Sequence, residues 1–225
     1  MIARLSLAEV ARQVALSLQD GWWVNLGIGL PTLVAAQLPD DRDVVLHCEN
    51  GMLGMGPPAA PGEEDLDLID AGKRCTTLVV GGCFMSHADS FALIRGGHLD
   101  ATVLGAYEVS AAGDLANWSL GEQVPAVGGA MDLAVGARRV FVMTQHVKRD
   151  GTPKLVAATT LPLTAAGVVS TVFTDLGVFE PCGDHFSAVA LVEGLSDEEL
   201  AAATGAPIER APACRVISGE TSTTT

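Results

Sequence analysis

The sequence predicts an α/β fold, a single domain built on an open, mostly parallel or mixed sheet with helices on both faces. Three observations predict it. Hydrophobic residues make up 48% of the 225 positions and charged residues 18%, a balance that suits one well-buried core near the upper end of single-domain size. Short apolar runs alternate with helical periods, as strand–turn–helix units do. Many of the 25 glycines stand at the ends of those runs, where tight turns and close backbone approaches need a residue without Cβ.

Taken in order, Ser6-Leu7-Ala8-Glu9 reads as a capping box. Leu7, Val10, Ala11, Val14 and Leu18 then keep the helical period until Asp20-Gly21. Residues 22–26 form a short strand that runs into Gly27-Ile28-Gly29-Leu30-Pro31, and Thr32 opens a second helix to Leu38. Val44-Val45-Leu46-His47 is another short strand, leading into Glu49-Asn50-Gly51. Residues 77–80 form a strand that stops at Gly81-Gly82, and a helix over 88–95 stops at Gly96-Gly97. Residues 107–118 read as a hairpin around Ala112-Gly113-Asp114, which gives the sheet a mixed edge. Strands follow at 101–104, 140–143 and 168–173, and a second capping box, Ser196-Asp197-Glu198-Glu199, opens a helix that ends at Thr204-Gly205. The chain divides into one domain over 1–217 and a small, polar tail over 218–225, expected to be disordered.

Composition excludes several classes of function. The formal net charge is −14 and the only lysines are Lys73, Lys148 and Lys154. Such a surface repels phosphate backbones and anionic lipid, so neither nucleic acid nor a membrane is expected as a partner. An anionic substrate has to be met by backbone N–H groups, a few local cations or another chain. The cysteines at 48, 75, 83, 182 and 214 are odd in number and form no C-x-x-C pair, which argues for reduced thiols in the cytoplasm. The N-terminal residues do not read as a signal peptide, and no stretch approaches the roughly 18 apolar residues of a membrane span. His47, His87, His98, His146 and His185 lack metal-ligand spacing, so no metal site is expected.

The most informative segment is Glu49-Asn50-Gly51-Met52-Leu53-Gly54-Met55-Gly56-Pro57. A carboxylate directly after a short apolar strand points into the crevice beyond the carboxyl ends of an open sheet. The following glycines offer N–H groups without side chains. The same pattern also suits a glutamate that merely caps a turn, and periodicity alone does not choose between the two.

Six segments occur in order: Asn25-Leu26-Gly27-Ile28-Gly29-Leu30-Pro31-Thr32, Glu49-Asn50-Gly51 with its Gly-x-Gly-Pro follow-on, Ala88-Asp89-Ser90-Phe91, Arg95-Gly96-Gly97-His98, Leu115-Ala116-Asn117-Trp118 and Gly128-Gly129-Ala130-Met131-Asp132-Leu133. Together, over residues 5 to about 209, the chain resembles the B subunits of the class I 3-oxoacid CoA-transferases. The runs over 61–73 and Val124-Pro125-Ala126-Val127-Gly128-Gly129 resemble the branch acting on 3-oxoadipate, and succinyl-CoA:acetoacetate transferases share most of both.

The resemblance implies a ping-pong transfer of CoA from succinyl-CoA to a 3-oxo acid, with Glu49 as the nucleophile and a glutamyl-CoA thioester as intermediate. It implies an oxyanion hole at Gly129 and Ala130. Asn25 and Lys73 match CoA-contacting positions, and Gly27, Gly29, Asn50 and Gly51, in the same motifs, join them as candidate CoA- or substrate-binding residues. CoA is then a substrate, and no cofactor is implied. The chain lacks the glycine-rich segment of the A subunits, which implies an A-subunit partner in a heterodimer or heterotetramer.

The family usually has Ser before the glutamate, where this chain has Cys48. Alternation along an extended segment turns Cys48 away from Glu49, so it reads as a packing residue. Arg95 is a candidate cation for the far carboxylate of 3-oxoadipate, and Arg95-Gly96-Gly97 equally suits a helix C-terminus with its capping glycines. Glu63-Glu64-Asp65 reads as a solvated loop. An acetoacetate- or acetate-specific transferase, a sugar-phosphate isomerase-like enzyme and a non-catalytic metabolite-binding domain remain as alternative readings.

Overall fold

The computed structural model describes residues 4–121 and 126–218. Val124-Pro125 and positions 219–225 of the expected tail lie outside them. Along the chain run α1 (Leu7–Ser17), β1 (Trp23–Leu26), a 3-10 helix (Leu30–Gln37), β2 (Val45–Cys48), β3 (Met52–Pro58), β4 (Thr76–Phe84), α2 (His87–Arg95), β5 (Ala101–Leu104), β6 (Glu108–Ser110) and β7 (Leu115–Ala116). There follow α3 (Ala130–Gly136), β8 (Val140–Met143), β9 (Leu155–Val156), β10 (Val169–Thr174), β11 (Gly177–Pro181), β12 (Phe186–Val192), α4 (Asp197–Ala203) and β13 (Ile208–Ile217).

A ten-stranded mixed sheet has the order β13-β12-β11-β10-β8-β5-β1-β2-β3-β4. Its centre, β10-β8-β5-β1-β2, is parallel throughout. These strands are short and largely buried, mostly apolar with a few buried polar residues among them, as burial on both faces demands. Antiparallel strands extend it on both sides, β3 and β4 beyond β2, β11 and β12 beyond β10, with β13 parallel to β12 at the far edge.

From β1 the chain crosses to β2 on one side, and from β5 it crosses to β8 on the other. Right-handed crossovers in opposite directions put their helices on opposite faces. The 3-10 helix packs on α1, β1 and β3, and α1 on β8 and β10, while α3 packs on α2 and β5. The core is thickest where Phe141 of β8 meets Phe173 of β10 edge to face, with ring centroids 5.4 Å apart. Burying one such side chain is worth about 1.5–3 kcal/mol.

Both capping boxes form. Ser6 and Glu9 exchange hydrogen bonds at the start of α1, as do Ser196 and Glu199 at the start of α4. At the end of α2, the Gly96 N–H donates to Ala92 O at 2.8 Å, so Gly96 caps this helix.

Several expectations are corrected. The segment after Glu49, read as glycines offering N–H groups, is strand β3, so β2 leads into a hairpin; Gly54 and Gly56 lie inside a ladder with β4. The helix expected from Thr32 begins at Leu30, with Pro31 in its first turn, where a missing N–H costs nothing, and it is a 3-10 helix. Strand β4 continues through Gly81-Gly82 to Phe84. The 107–118 hairpin joins β9 in a separate three-stranded sheet, β7-β6-β9, and does not edge the main one.

His146 fastens the C-terminal end of β10 to α4. The Thr204 hydroxyl donates to Leu200 O at 2.8 Å, so it accepts from His146 Nε2–H at 3.0 Å, while Nδ1 accepts from the Thr174 hydroxyl at 3.0 Å. Burial holds the ring neutral, with its pKa lowered from 6.5 to about 4. The unfolded chain takes up this proton first as the pH falls, so the stability is whole above pH 6.5 and drains away toward pH 4. His146→Gln is expected to flatten the decline of denaturation midpoint across that window, by on the order of 3 kcal/mol at its acid end. An unchanged slope would count against the neutral, buried ring.

Candidate active site

Glu49 is the first residue of a three-residue hairpin loop between the paired residues Cys48 and Met52. The Gly51 N–H closes the turn on Cys48 O at 3.0 Å. Gly51 has φ +117°, and a Cβ there would stand 2.3 Å from Met85 O, so the loop closes only with glycine.

Beneath the loop lies a buried polar row. Strand register sets Asn25 of β1 beside His47 of β2 and Thr102 of β5. The Thr102 hydroxyl donates to Asn25 Oδ1 at 3.2 Å, which turns the amide nitrogen toward Glu49 and His47. Asn25 Nδ2 donates to Glu49 Oε2 at 3.0 Å and to His47 Nδ1 at 3.3 Å. With Nδ1 accepting, His47 Nε2–H donates to Ser90 Oγ on α2 at 2.9 Å. Burial lowers the His47 pKa to about 4, which keeps the ring neutral, and the Asn25 amide nitrogen, a donor only, sets the tautomer. One carboxylate oxygen of Glu49 is thus anchored, and Oε1 has no hydrogen bond among the described residues.

Cys48 points the other way. Its thiol is buried, and Sγ accepts from the Ala71 N–H at 3.0 Å. Burial first, and the Glu49 charge second, push its pKa up to about 11. A thiol so protected is a packing residue.

The opposite crossovers of β1 and β5 make a topological switch point, where an open sheet leaves a crevice at its carboxyl ends. A cleft of about 470 Å³ lies there. Gly27, Ile28 and Leu30 line it after β1, Glu49 after β2, Gly105, Ala106 and Tyr107 after β5, and Met143 and Thr144 at the end of β8. Gly27 is required by space: a Cβ would meet Val103 O at 2.9 Å. Gly128, Gly129 and Ala130 close one wall at the start of α3, whose first N–H groups have no acceptor within the helix. The small sheet contributes Asn117, Trp118 and Lys154.

Of the residues singled out from sequence, Glu49, Gly27, Gly129 and Ala130 therefore share one cleft, with buried Asn25 holding Glu49 from below. Gly29 precedes the 3-10 helix and is not among the lining residues. Asn50 is exposed and braces the hairpin by donating to Ile69 O at 2.8 Å. Lys73 is exposed on that neighbouring loop, outside the cleft, with φ 63°. Arg95 pairs with Asp132 at 2.7 Å and stacks on Phe91; it does not line the Glu49 cleft but an adjoining hollow that shares Gly128 and Gly129 with it. Among the described residues, no His/Cys/Asp/Glu cluster suited to a metal is present, and no helix is long and apolar enough to cross a membrane. Sequence reasoning gave Lys154, Tyr107 and Thr144 no role.

Asn25→Ala is expected to lower the unfolding free energy by about 2–4 kcal/mol, since His47 and Thr102 lose a buried partner. Glu49→Ala, at the lip of the cleft, is expected to cost under about 1 kcal/mol. Chemical denaturation of both variants checks this, and equal losses would contradict the anchoring role of Asn25.

Comparison with known proteins agrees with this architecture. The family model described as Coenzyme A transferase matches residues 7–203. The chain is 54% identical over 207 residues to the B subunit of 3-oxoadipate CoA-transferase from Pseudomonas putida, covering 91% of this chain and 97% of that protein. It is 43% identical over 210 residues to the human mitochondrial succinyl-CoA:3-ketoacid coenzyme A transferase 2, covering 92% of this chain but 41% of that one. Among solved structures, an acyl-CoA transferase from Escherichia coli O157:H7 superposes with a TM-score of 0.73 at 16% identity, over 96% of this chain and 43% of that one, a likeness of fold alone. A single-residue variant of the decarboxylase AibA/AibB superposes with a TM-score of 0.70 at 26% identity, over 94% of this chain and 89% of that one. Fold by itself therefore spans more than one chemistry. By the extent of the family match and the identity to its relatives, the chain belongs to the coenzyme A transferase family.

Proposed function

We propose that this chain is the B subunit of a two-subunit 3-oxoacid CoA-transferase and that Glu49 carries the transfer. The observation that supports it most is the Glu49 carboxylate itself, with one oxygen anchored by Asn25 and the other free in a crevice at the carboxyl ends of the parallel strands. An ordinary glutamate is ionised at neutral pH, with a reference pKa of about 4.3, so it needs no general base.

In the proposed reaction, a Glu49 oxygen attacks the donor thioester carbonyl and expels CoA thiolate, leaving an acyl-glutamyl anhydride. The thiolate attacks the glutamyl carbonyl and expels the donor carboxylate, leaving glutamyl-CoA. The acceptor carboxylate attacks that thioester, and the returning thiolate takes the new acyl group from the anhydride and frees Glu49. No net proton or electron is exchanged, and the energy of the thioester is kept in each intermediate. Negative charge gathers on a carbonyl oxygen at every addition. The N–H groups of Gly129 and Ala130, on the wall of the same cleft, are placed in this reading as its donors; one such donor is worth about 3 kcal/mol. Asn25, Gly27, Gly29, Asn50, Gly51 and Lys73 are retained as candidate CoA- or substrate-binding positions, with buried Asn25 acting through Glu49.

Succinyl-CoA as donor and 3-oxoadipate as acceptor are proposed by analogy with the Pseudomonas putida relative. An A subunit is proposed because the human relative is more than twice the length this chain covers. Val79, Val80 and Phe84 are moreover exposed on edge strand β4, where a second chain would cover them. A reducing, cytoplasmic location suits the five free cysteines.

Glu49→Ala and freshly purified Glu49→Gln are each expected to retain under about a thousandth of wild-type transfer in the assembled complex. The wild type incubated with acyl-CoA is expected to carry a CoA adduct on the Glu49 peptide by mass spectrometry. An adduct elsewhere, or substantial activity without Glu49, contradicts the mechanism. The chain expressed alone is expected to be inactive and poorly soluble, and full activity from it alone would contradict the two-subunit assembly.

A further inference from the structure

We infer that Lys154 is the specificity-determining residue of the cleft, its ammonium receiving the second carboxylate of an acyl group that carries one at its far end. The inference rests on the transferase reading above and names the residue by which that site would choose among 3-oxo acids.

Among the described residues, Lys154 is the one cationic side chain that lines the cleft, and Glu49 the one anionic. Two hydrogen bonds fix the Lys154 ammonium: Nζ donates to Ala106 O at 3.1 Å and to Thr144 Oγ1 at 2.8 Å. An ammonium has three donors, so one is left for an incoming oxygen. Among the described residues, no carboxylate pairs with it. The neighbouring Lys148 is neutralised by Glu108 at 2.9 Å. Asp175, whose charge acts on Lys154 from a distance, is engaged by Arg4 and by the His146 N–H. Burial first, then repulsion from Lys148, lower the Lys154 pKa. A half-buried cation without a counter-ion in a crevice marks a ligand site.

Its backbone is as well placed as its head. The Lys154 N–H donates to His146 O and its carbonyl accepts from the Val109 N–H, both at the entry to β9 in the small sheet. The side chain spans from there to the ends of β5 and β8. Succinyl and 3-oxoadipyl groups each offer a terminal carboxylate; acetoacetyl does not. An uncharged end would leave the ammonium desolvated and unpaired, and this penalty is what rejects it.

The test compares 3-oxoadipate with 3-oxohexanoate, an acceptor of the same chain length ending in methyl, on the A/B complex. In ping-pong kinetics kcat/KM of an acceptor reports its own half-reaction. Lys154→Met is expected to lower the ratio of kcat/KM for 3-oxoadipate over 3-oxohexanoate by on the order of 10- to 100-fold, chiefly through KM for 3-oxoadipate, with Lys154→Arg recovering part of it. A ratio within about threefold of wild type overturns the inference, because a merely structural lysine weakens both acceptors alike. A readout without substitution stands beside it: acetic anhydride labelling of Lys154 in the wild-type complex, read by peptide mass spectrometry, is expected to be slowed by 3-oxoadipate more than by 3-oxohexanoate. Equal protection overturns the inference even if the variants fail to assemble. A wild-type complex that moves no CoA overturns the transferase reading along with it, whereas lost selectivity with the Glu49 adduct intact bears on Lys154 alone.

Discussion

The hydrogen bond from Asn25 to Glu49 is the contact on which the rest of the site depends. The role proposed for Glu49 sets two conflicting needs: the carboxylate must be held, and it must keep an oxygen free of partners. Asn25 meets both by binding Oε2 from below. That works only because Thr102 fixes the amide oxygen and His47 takes the second N–H. The row continues through His47 to Ser90, so the position of the Glu49 carboxylate is tied to the packing of α2 on the sheet. Every member of the row is buried and satisfied, which is why it can be rigid at bearable cost.

The sheet topology explains why that row sits where a ligand can reach it. Parallel strands β1, β2, β5 and β8 all end at the same rim, and the opposite crossovers from β1 and β5 leave that rim uncovered. The separate small sheet then hangs from the far side of the cleft. Its pairing of Val109 with Leu155 sets Lys154 at the cleft, and its hairpin brings Tyr107 and Asn117 there. Burial opposes ionisation of Glu108, but bonds from Thr160 and Lys148 outweigh it and keep its pKa low. This ion-pair cluster braces the small sheet.

What the sequence made legible follows from the range of the interactions involved. The central strands and capping boxes are local signals, and Glu49 stood out because an acid directly follows an apolar run. Strand β3 was hidden by its own composition, Met-Leu-Gly-Met-Gly-Pro-Pro, in which glycine and proline read as loop. Strand β13 carries Pro212 and mixed polarity because it is an edge, and so lacks a buried period. The 3-10 helix carries no side-chain cap to mark its start. Asn25 drew notice through its motif, yet its hold on Glu49 depends on strand register, which no local pattern records. Lys154 was invisible for the same reason: its neighbours Ala106 and Thr144 come from two other connections, and only the folded chain joins them.

Charge closes the account. For the transfer proposed above, a formal net charge of −14 means that an anionic thioester or acid approaches against the long-range field of the chain. It answers with local donors. The residues at the start of α3 and Lys154 line the cleft, whereas Arg95, Arg138 and Lys148 are each spent on a carboxylate of this chain. Among the described residues, the cleft therefore presents one fixed positive charge against one fixed negative charge, held on different connections and not paired with each other. Had they been paired, the Glu49 carboxylate and the Lys154 ammonium would each have been masked from a ligand. Keeping them apart requires two independent frameworks, the polar row under the hairpin for Glu49 and the small sheet for Lys154, and the fold supplies one for each.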